Sequence, residues 1–214
     1  MIRTLSQAGK AIDRLGFCLL FPNKGVPLPS LIEVATGGKL RSYNPRTDWS
    51  DDFLRVWKWK DELPRKRLAW YGKYFRGRGL FLSPQLLACF YCLEGNYPGP
   101  NDDGAYERLY RAGRITADAR TVAAELQKNG PQGTLELRYS LGWESKRGNL
   151  RFKRALAELQ ARLMVTHFGA RAETRAWQSA VYQLTPRAFP QAVRAAANCS
   201  GDCAKMAERY CGPT

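Results

Sequence analysis

The stretch KRGNLRFKRALAELQARLMVTHFGARAETRAWQSAVYQL, residues 146–184, decides the fold. Its first part spaces Phe152, Leu156, Leu159 and Leu163 three or four residues apart with Ala155 beside them, one apolar stripe of a helix. That spacing predicts a helix over 146–162. LMVTHFG and WQSAVYQL then alternate apolar and polar residues, and the charged segment 170–175 joins them, so 163–184 reads as a β-hairpin. Upstream, Thr116 caps a helix that ends at Gly130, Thr134 starts a compact one that stops at Gly142, and 105–112 forms a short one before both. Helix, helix, turn, helix and basic hairpin is the order of a winged helix, with 146–162 as recognition helix and 163–184 as wing.

Charge points the same way. The chain has 214 residues with 34 Lys and Arg against 19 Asp and Glu, a formal net charge of +15. Residues 39–80 carry twelve basic and five acidic side chains, and residues 111–175 carry thirteen and six. The excess is concentrated in two regions, which favours a polyanionic partner over a uniformly solubilising surface. In the recognition helix Phe152 must face inward, leaving Lys146, Arg147, Asn149, Arg151, Lys153 and Arg154 for the groove side. Arg and Asn can pair bidentately with guanine and adenine edges. Arg171 and Arg175 in the wing suit phosphate contacts.

The first half is less regular. TLSQAGKAIDRL (4–15) reads as a helix and Phe17–Phe21 as a short buried strand or turn. A short helix is expected at 30–36, then a loop over 38–48. Asp51 and Asp52 open an aromatic, basic helix that Pro64 is expected to break. RKRLAWYGKYF is expected to resume helix as far as Gly77, followed by a short strand and a helix capped by Ser83 with Pro84 at its first position. Lys58, Lys60, Lys66, Arg67, Lys73, Arg76 and Arg78 are candidate phosphate contacts. The interleaved aromatics could stack on bases, although Trp57, Trp70 and Phe75 read first as core. GNYPGPNDDG (95–104) is the clearest linker. The expected organisation is an N-terminal helical, winged-helix-like domain (1–98), a winged-helix domain (99–190) and a C-terminal helical tail (191–214). The fold class is thus mainly α with small β-hairpins (α+β), a tandem winged-helix or helix-turn-helix architecture.

The strings GFCLLFPNKGVPLPSL, WKWKDELP, WYGKYFRGRG and RFKRALAELQ resemble winged-helix proteins related to the AlkZ-type DNA glycosylases, and the resemblance runs through almost the whole chain. It implies tandem winged helices and, in the enzymes themselves, excision of alkylated or crosslinked bases. Their catalytic triplet, Gln-apolar-Gln or Gln-apolar-Asp, would be sought near Phe17–Asn23, where FCLLFPN stands instead.

Any catalytic carboxylate must therefore come from elsewhere. Asp61 and Glu62 lie between the aromatics and the basic run, although pairing with nearby Lys or Arg is the plainer reading. The lone His167 falls in an expected strand and reads as packing. Cys89 and Cys92 lie in an apolar helical run, and Cys199, Cys203 and Cys211 match no metal-knuckle spacing, so neither metal nor cofactor is expected. No stretch approaches a membrane span, and no secretory signal is read at the start. The expectation is a monomeric cytoplasmic protein, nucleoid-associated if bacterial, whose partner is duplex DNA. A repair glycosylase and a protein-docking winged helix are the alternatives, and the sequence leaves catalysis open.

Overall fold

The computed structural model describes residues 1–26, 28–38, 50–94, 96, 104–172, 178–198 and 203. The fold is mixed α and β, with two small antiparallel sheets of three strands each. The first half runs α1 (Leu5–Leu15), β1 (Phe17–Leu19), α2 (Leu31–Thr36), α3 (Asp51–Arg65), β2 (Trp70–Gly72), β3 (Leu80–Leu82) and α4 (Pro84–Leu93). The second runs α5 (Ala105–Arg111), α6 (Ala117–Asn129), β4 (Gln132–Gly133), α7 (Thr134–Ser140), α8 (Lys146–Ala161), β5 (Val165–Ala172) and β6 (Gln178–Leu184). Two short helices, α9 (Thr185–Ala188) and α10 (Pro190–Ala195), follow.

From α1 to β3 and again from α6 to β6 the order is helix, strand, helix, helix, hairpin. The sheets repeat it too, running β1-β3-β2 and β4-β6-β5. The repetition reaches individual hydrogen bonds. After α3, Arg67 has φ 59° and donates to the Pro64 carbonyl, while Leu68 donates to Leu63. After α8, Leu163 has φ 57° and donates to Gln160, while Met164 donates to Leu159. A left-handed residue without glycine's freedom is uncommon, so the shared exit aligns Asp61 with position 157 of α8. Side chains differ almost everywhere between the halves, which is why no short-period repeat is legible in the sequence.

Each helix forms for local reasons. Thr4 caps α1 and accepts from the Gln7 N–H while the Gln7 side chain answers the Thr4 N–H, a complete capping box. Ser145 caps α8 by accepting from Gly148. A Cβ at Gly148 would come within 2.6–2.7 Å of the Trp143 backbone, so only glycine lets the start of α8 approach that segment. Phe152, Ala155, Leu156 and Leu159 then face a core shared with Val122 and Leu126 of α6. Glu158 of α8 reaches back to the start of α6, accepting from the Thr116 N–H at 2.9 Å and its hydroxyl at 2.6 Å.

Two expectations for the first half fail. Pro64 does not break α3, which continues to Arg65. Pro64 stands one residue from the end of the helix, so the Lys60 carbonyl loses its N–H partner but almost no helix remains to be broken. RKRLAWYGKYF is not a resumed helix: the reversal at Arg67 leads into β2, which pairs antiparallel with β3 through Trp70–Leu82, Tyr71–Phe81 and Gly72–Leu80. The alternation of Trp70 and Gly72 with Tyr71 belongs to this strand.

The halves share a core. Phe17, Leu19, Trp70, Leu82 and Phe90 cluster with Leu163, Ala188 and Phe189. The edge strands β2 and β5 meet where the Thr166 hydroxyl accepts from the Tyr71 N–H (3.4 Å) and donates to the Tyr71 carbonyl (3.1 Å). Between His167 and Ala170 the β5–β6 register shifts, with Gly169 at φ 113°. This bulge lets β5 run against α3, where Gly169 faces Arg65 and the Asp61 carbonyl.

Candidate functional site

A cavity of about 320 Å³ lies where α3, β2, α8 and the β5–β6 hairpin converge. α3 contributes Trp57, Lys60 and Asp61, β2 and its exit contribute Tyr71, Gly72 and Lys73, and α8 contributes Gln160. The hairpin adds His167, Ala170, Gln178, Ala180 and Tyr182. Gln160 is held in place by the Lys73 N–H, which donates to its Oε1 at 3.1 Å. A larger hollow of about 650 Å³ runs along α1 by Ile2, Gln7, Lys10, Asp13 and Arg14.

Asp61 is the centre of the cavity. Its Oδ1 lies 2.5 Å from His167 Nε2 and 2.8 Å from Lys60 Nζ, and its Oδ2 lies 2.8 Å from the same Nζ. Burial opposes the Asp61 charge, but the hydrogen bonds from His167 and Lys60 prevail and hold the carboxyl below its ordinary range. Burial also dominates at His167 and lowers its pKa, the Asp61 hydrogen bond opposing this only partly. At neutral pH Asp61 is therefore a carboxylate and His167 a neutral imidazole donating through Nε2, which leaves the lone pair on Nδ1. Tyr71 and Tyr182 meet the imidazole edge-on at 5.6 and 5.8 Å between ring centroids. Burial pushes the Tyr182 phenol up to about 12 and the Tyr71 phenol higher still, so both stay protonated.

This arrangement fixes a pH dependence. Both groups have folded pKa values below their unfolded ones, so the unfolded chain binds more protons and stability falls on acidification. His167 acts first, as pH drops below about 6.5, and Asp61 follows below about 4. His167→Gln, whose amide can still donate to Asp61, is expected to flatten the stability profile as pH falls below about 6.5 while leaving the acid limb below about 4, as read by urea midpoints across pH.

Trp57 stands at the mouth. It is 45% exposed, although its helical spacing reads as core; that role falls to Trp59, 4% exposed and two residues on, on the opposite side of the helix. Its ring is near-parallel to Phe53 (15°, 6.0 Å) and Phe21 (11°, 6.1 Å), and the Lys60 ammonium lies 4.5 Å from its centroid. Phe75 is likewise only partly buried.

The other sequence candidates divide by position. Lys146, Arg147, Lys153 and Arg154 are exposed on α8 and make no ion pair with described residues, and Asn149 is half-buried beside them. Arg151 is held against α6, forming two hydrogen bonds to Asp118 with its guanidinium over Trp143. Arg171 pairs with Glu136 of α7, and Arg175 lies outside the described residues. Lys58 and Glu62 form an i,i+4 pair at 3.6 Å outside the cavity, so Asp61 and not Glu62 reaches the cavity. Lys66, Arg67, Arg76 and Arg78 are exposed between α3 and β3. Cys89 and Cys203 meet sulfur to sulfur in the core, while Cys199 and Cys211 lie outside the described residues. Sequence reasoning missed His167 as Asp61's partner: the two are 106 positions apart, and only the docking of β5 on α3 joins them.

A family model described as AlkZ related matches residues 2–207. The chain belongs to the AlkZ-related family. No curated protein and no solved structure matches it. Within the AlkZ-related chain, β1 (Phe17–Leu19) is apolar and buried throughout, so the carboxylate of the cavity comes from α3 and not from the segment where the glycosylase triplet was sought. No helix among the described residues is long and apolar enough to cross a membrane.

Proposed function

We propose that this AlkZ-related protein binds duplex DNA through two winged helices in tandem, residues 1–98 and 99–190, with α8 in the major groove and the β5–β6 hairpin against the flanking backbone. The observation that carries this reading is the outer face of α8. Four cations that make no ion pair with a described residue, and Asn149, lie along it while the opposite face is locked into the core. Leu150, 49% exposed, adds an apolar group able to meet a thymine methyl. α3, its counterpart in the first half, has β5 packed against it, which favours a role flanking the duplex over one entering it. Lys58, Lys66, Arg67, Arg76 and Arg78 would extend the phosphate contacts.

The test is fluorescence anisotropy on a labelled duplex across a salt series. A Lys146/Arg147/Lys153→Ala variant is expected to bind about thirtyfold more weakly and to lower the slope of log affinity against log salt by about 2.7, since each lost phosphate contact retains one set of counterions. Equal, weak and salt-insensitive binding by both proteins removes the reading.

A second reading, a glycosylase, is favoured by one observation: an ionised carboxylate in a cavity with an aromatic mouth. Asp61 would activate water or stabilise the sugar cation as the glycosidic bond breaks, with His167 fixing its orientation. Release of free base from lesion-bearing duplex tests it.

A further inference from the structure

Packing on Phe21, Phe53 and Lys60 orders Trp57 but does not account for its exposure at the cavity rim. An indole at core spacing is left 45% exposed, yet it is ordered by the Phe21–Phe53–Trp57 ladder at the rim of a cavity of about 320 Å³. That volume is at the lower end of small-molecule sites. Asp61 Oδ1 has both acceptor positions filled by His167 and Lys60, whereas Oδ2 receives only Lys60 and keeps one position open among the described contacts.

Charge decides what fits. Two lysines, Lys60 and Lys73, line the cavity against the single Asp61 carboxylate, and the imidazole is neutral. A cationic ligand would enter against a positive remainder, its natural counter-ion already engaged. A phosphate would meet the carboxylate. A flat, uncharged ligand with an N–H donor can stack on the exposed part of the indole, beside the Lys60 ammonium, and reach Oδ2 without either penalty. We propose that this cavity receives a single extruded nucleobase of neutral charge, stacked on Trp57 and donating an N–H to Asp61. The assignment rests on the duplex-binding reading, because extrusion requires the duplex to be held.

The experiment uses the full chain and a duplex carrying one 5-iodouracil opposite guanine, a neutral and easily unstacked base. At protein concentrations where anisotropy shows the duplex saturated, irradiation is expected to attach the base to the peptide containing Trp57. Trp57→Ala is expected to lower the yield about tenfold, as loss of one aromatic stack does. Ala170→Phe, which fills the cavity from β5 and leaves the indole in place, is expected to lower it comparably; melting curves establish that both variants are folded. Unlabelled competitor with a mispaired uracil should suppress the crosslink at a concentration at least about threefold below that of competitor with the cationic base N7-methylguanine. Attachment elsewhere, or a yield that neither variant changes, overturns the site. Stronger competition by the cationic base overturns the neutral class. Failure to saturate the duplex before irradiation instead overturns the DNA-binding reading, and the base site with it.

Discussion

Trp70→Ala is expected to lower stability by about 4 kcal/mol and the melting temperature by roughly 10 °C. The indole is fully buried in the core shared by the two halves, and its Nε1 donates to the Thr185 hydroxyl at 3.1 Å. Truncation removes the largest side chain of that core and leaves the buried Thr185 hydroxyl without its donor. Because the core includes Leu163, Ala188 and Phe189 as well as β1–β3, the halves should melt in one transition, and calorimetry on the variant should show that single transition displaced downward. The ring also explains a glycine: a Cβ at Gly72 would lie 2.4 Å from the indole edge. Gly72→Ala should therefore cost about 2 kcal/mol in the native background and far less once Trp70 is alanine, a non-additivity that ring and glycine produce only if they are in contact. Additive losses in the double variant would refute this packing.

How much of this was legible depends on distance along the chain. The second half was readable because its signals are local: Thr116 and Gly130 bracket α6, and the stripe Phe152–Leu156–Leu159 is buried as its spacing requires. The region around Pro64 was not, because LAWYGKYF has aromatics whose spacing fits a helix as well as a strand. Only pairing of Tyr71 with Phe81 and contact with Thr166 select the strand. The repeated topology was hidden for a related reason. What the halves share is backbone, down to the left-handed exits at Arg67 and Leu163, while the side chains that fill each core differ. The cavity was half-legible. Asp61 and Glu62 were offered together as carboxylates amid basic and aromatic residues, with nothing to choose between them, while His167 read as packing, and Trp57 read as core because helical spacing alone does not say which of Trp57 and Trp59 faces inward.

Asp61→Ala is expected to cost about 3 kcal/mol even though the residue borders a cavity. Its side chain is 16% exposed and its two partners, Lys60 at 14% and His167 at 7%, are equally sequestered. Removing the carboxylate strands a mostly buried ammonium and a buried ring N–H, and a broken pair costs more than an absent one. A Lys60→Met/Asp61→Leu pair should therefore recover much of the loss in urea melts, which separates the penalty of an orphaned charge from the worth of the bridge. Asp61→Asn keeps the shape and one acceptor oxygen but not the charge, and should lose only about half as much stability as the alanine variant. The milder variant is the one to carry into catalysis. If the glycosylase reading holds, Asp61→Asn still saturates duplex DNA while base release falls about a thousandfold, the range expected when a positioned base or charge stabiliser is neutralised. If release proceeds at the native rate in a folded Asp61→Asn protein, the carboxylate is a structural link between α3 and β5 and the chemistry lies elsewhere. If the native protein releases no base from any lesion while binding duplex tightly, the Asp61–His167 pair belongs to recognition alone, and the AlkZ-related fold here reads DNA without cutting a glycosidic bond.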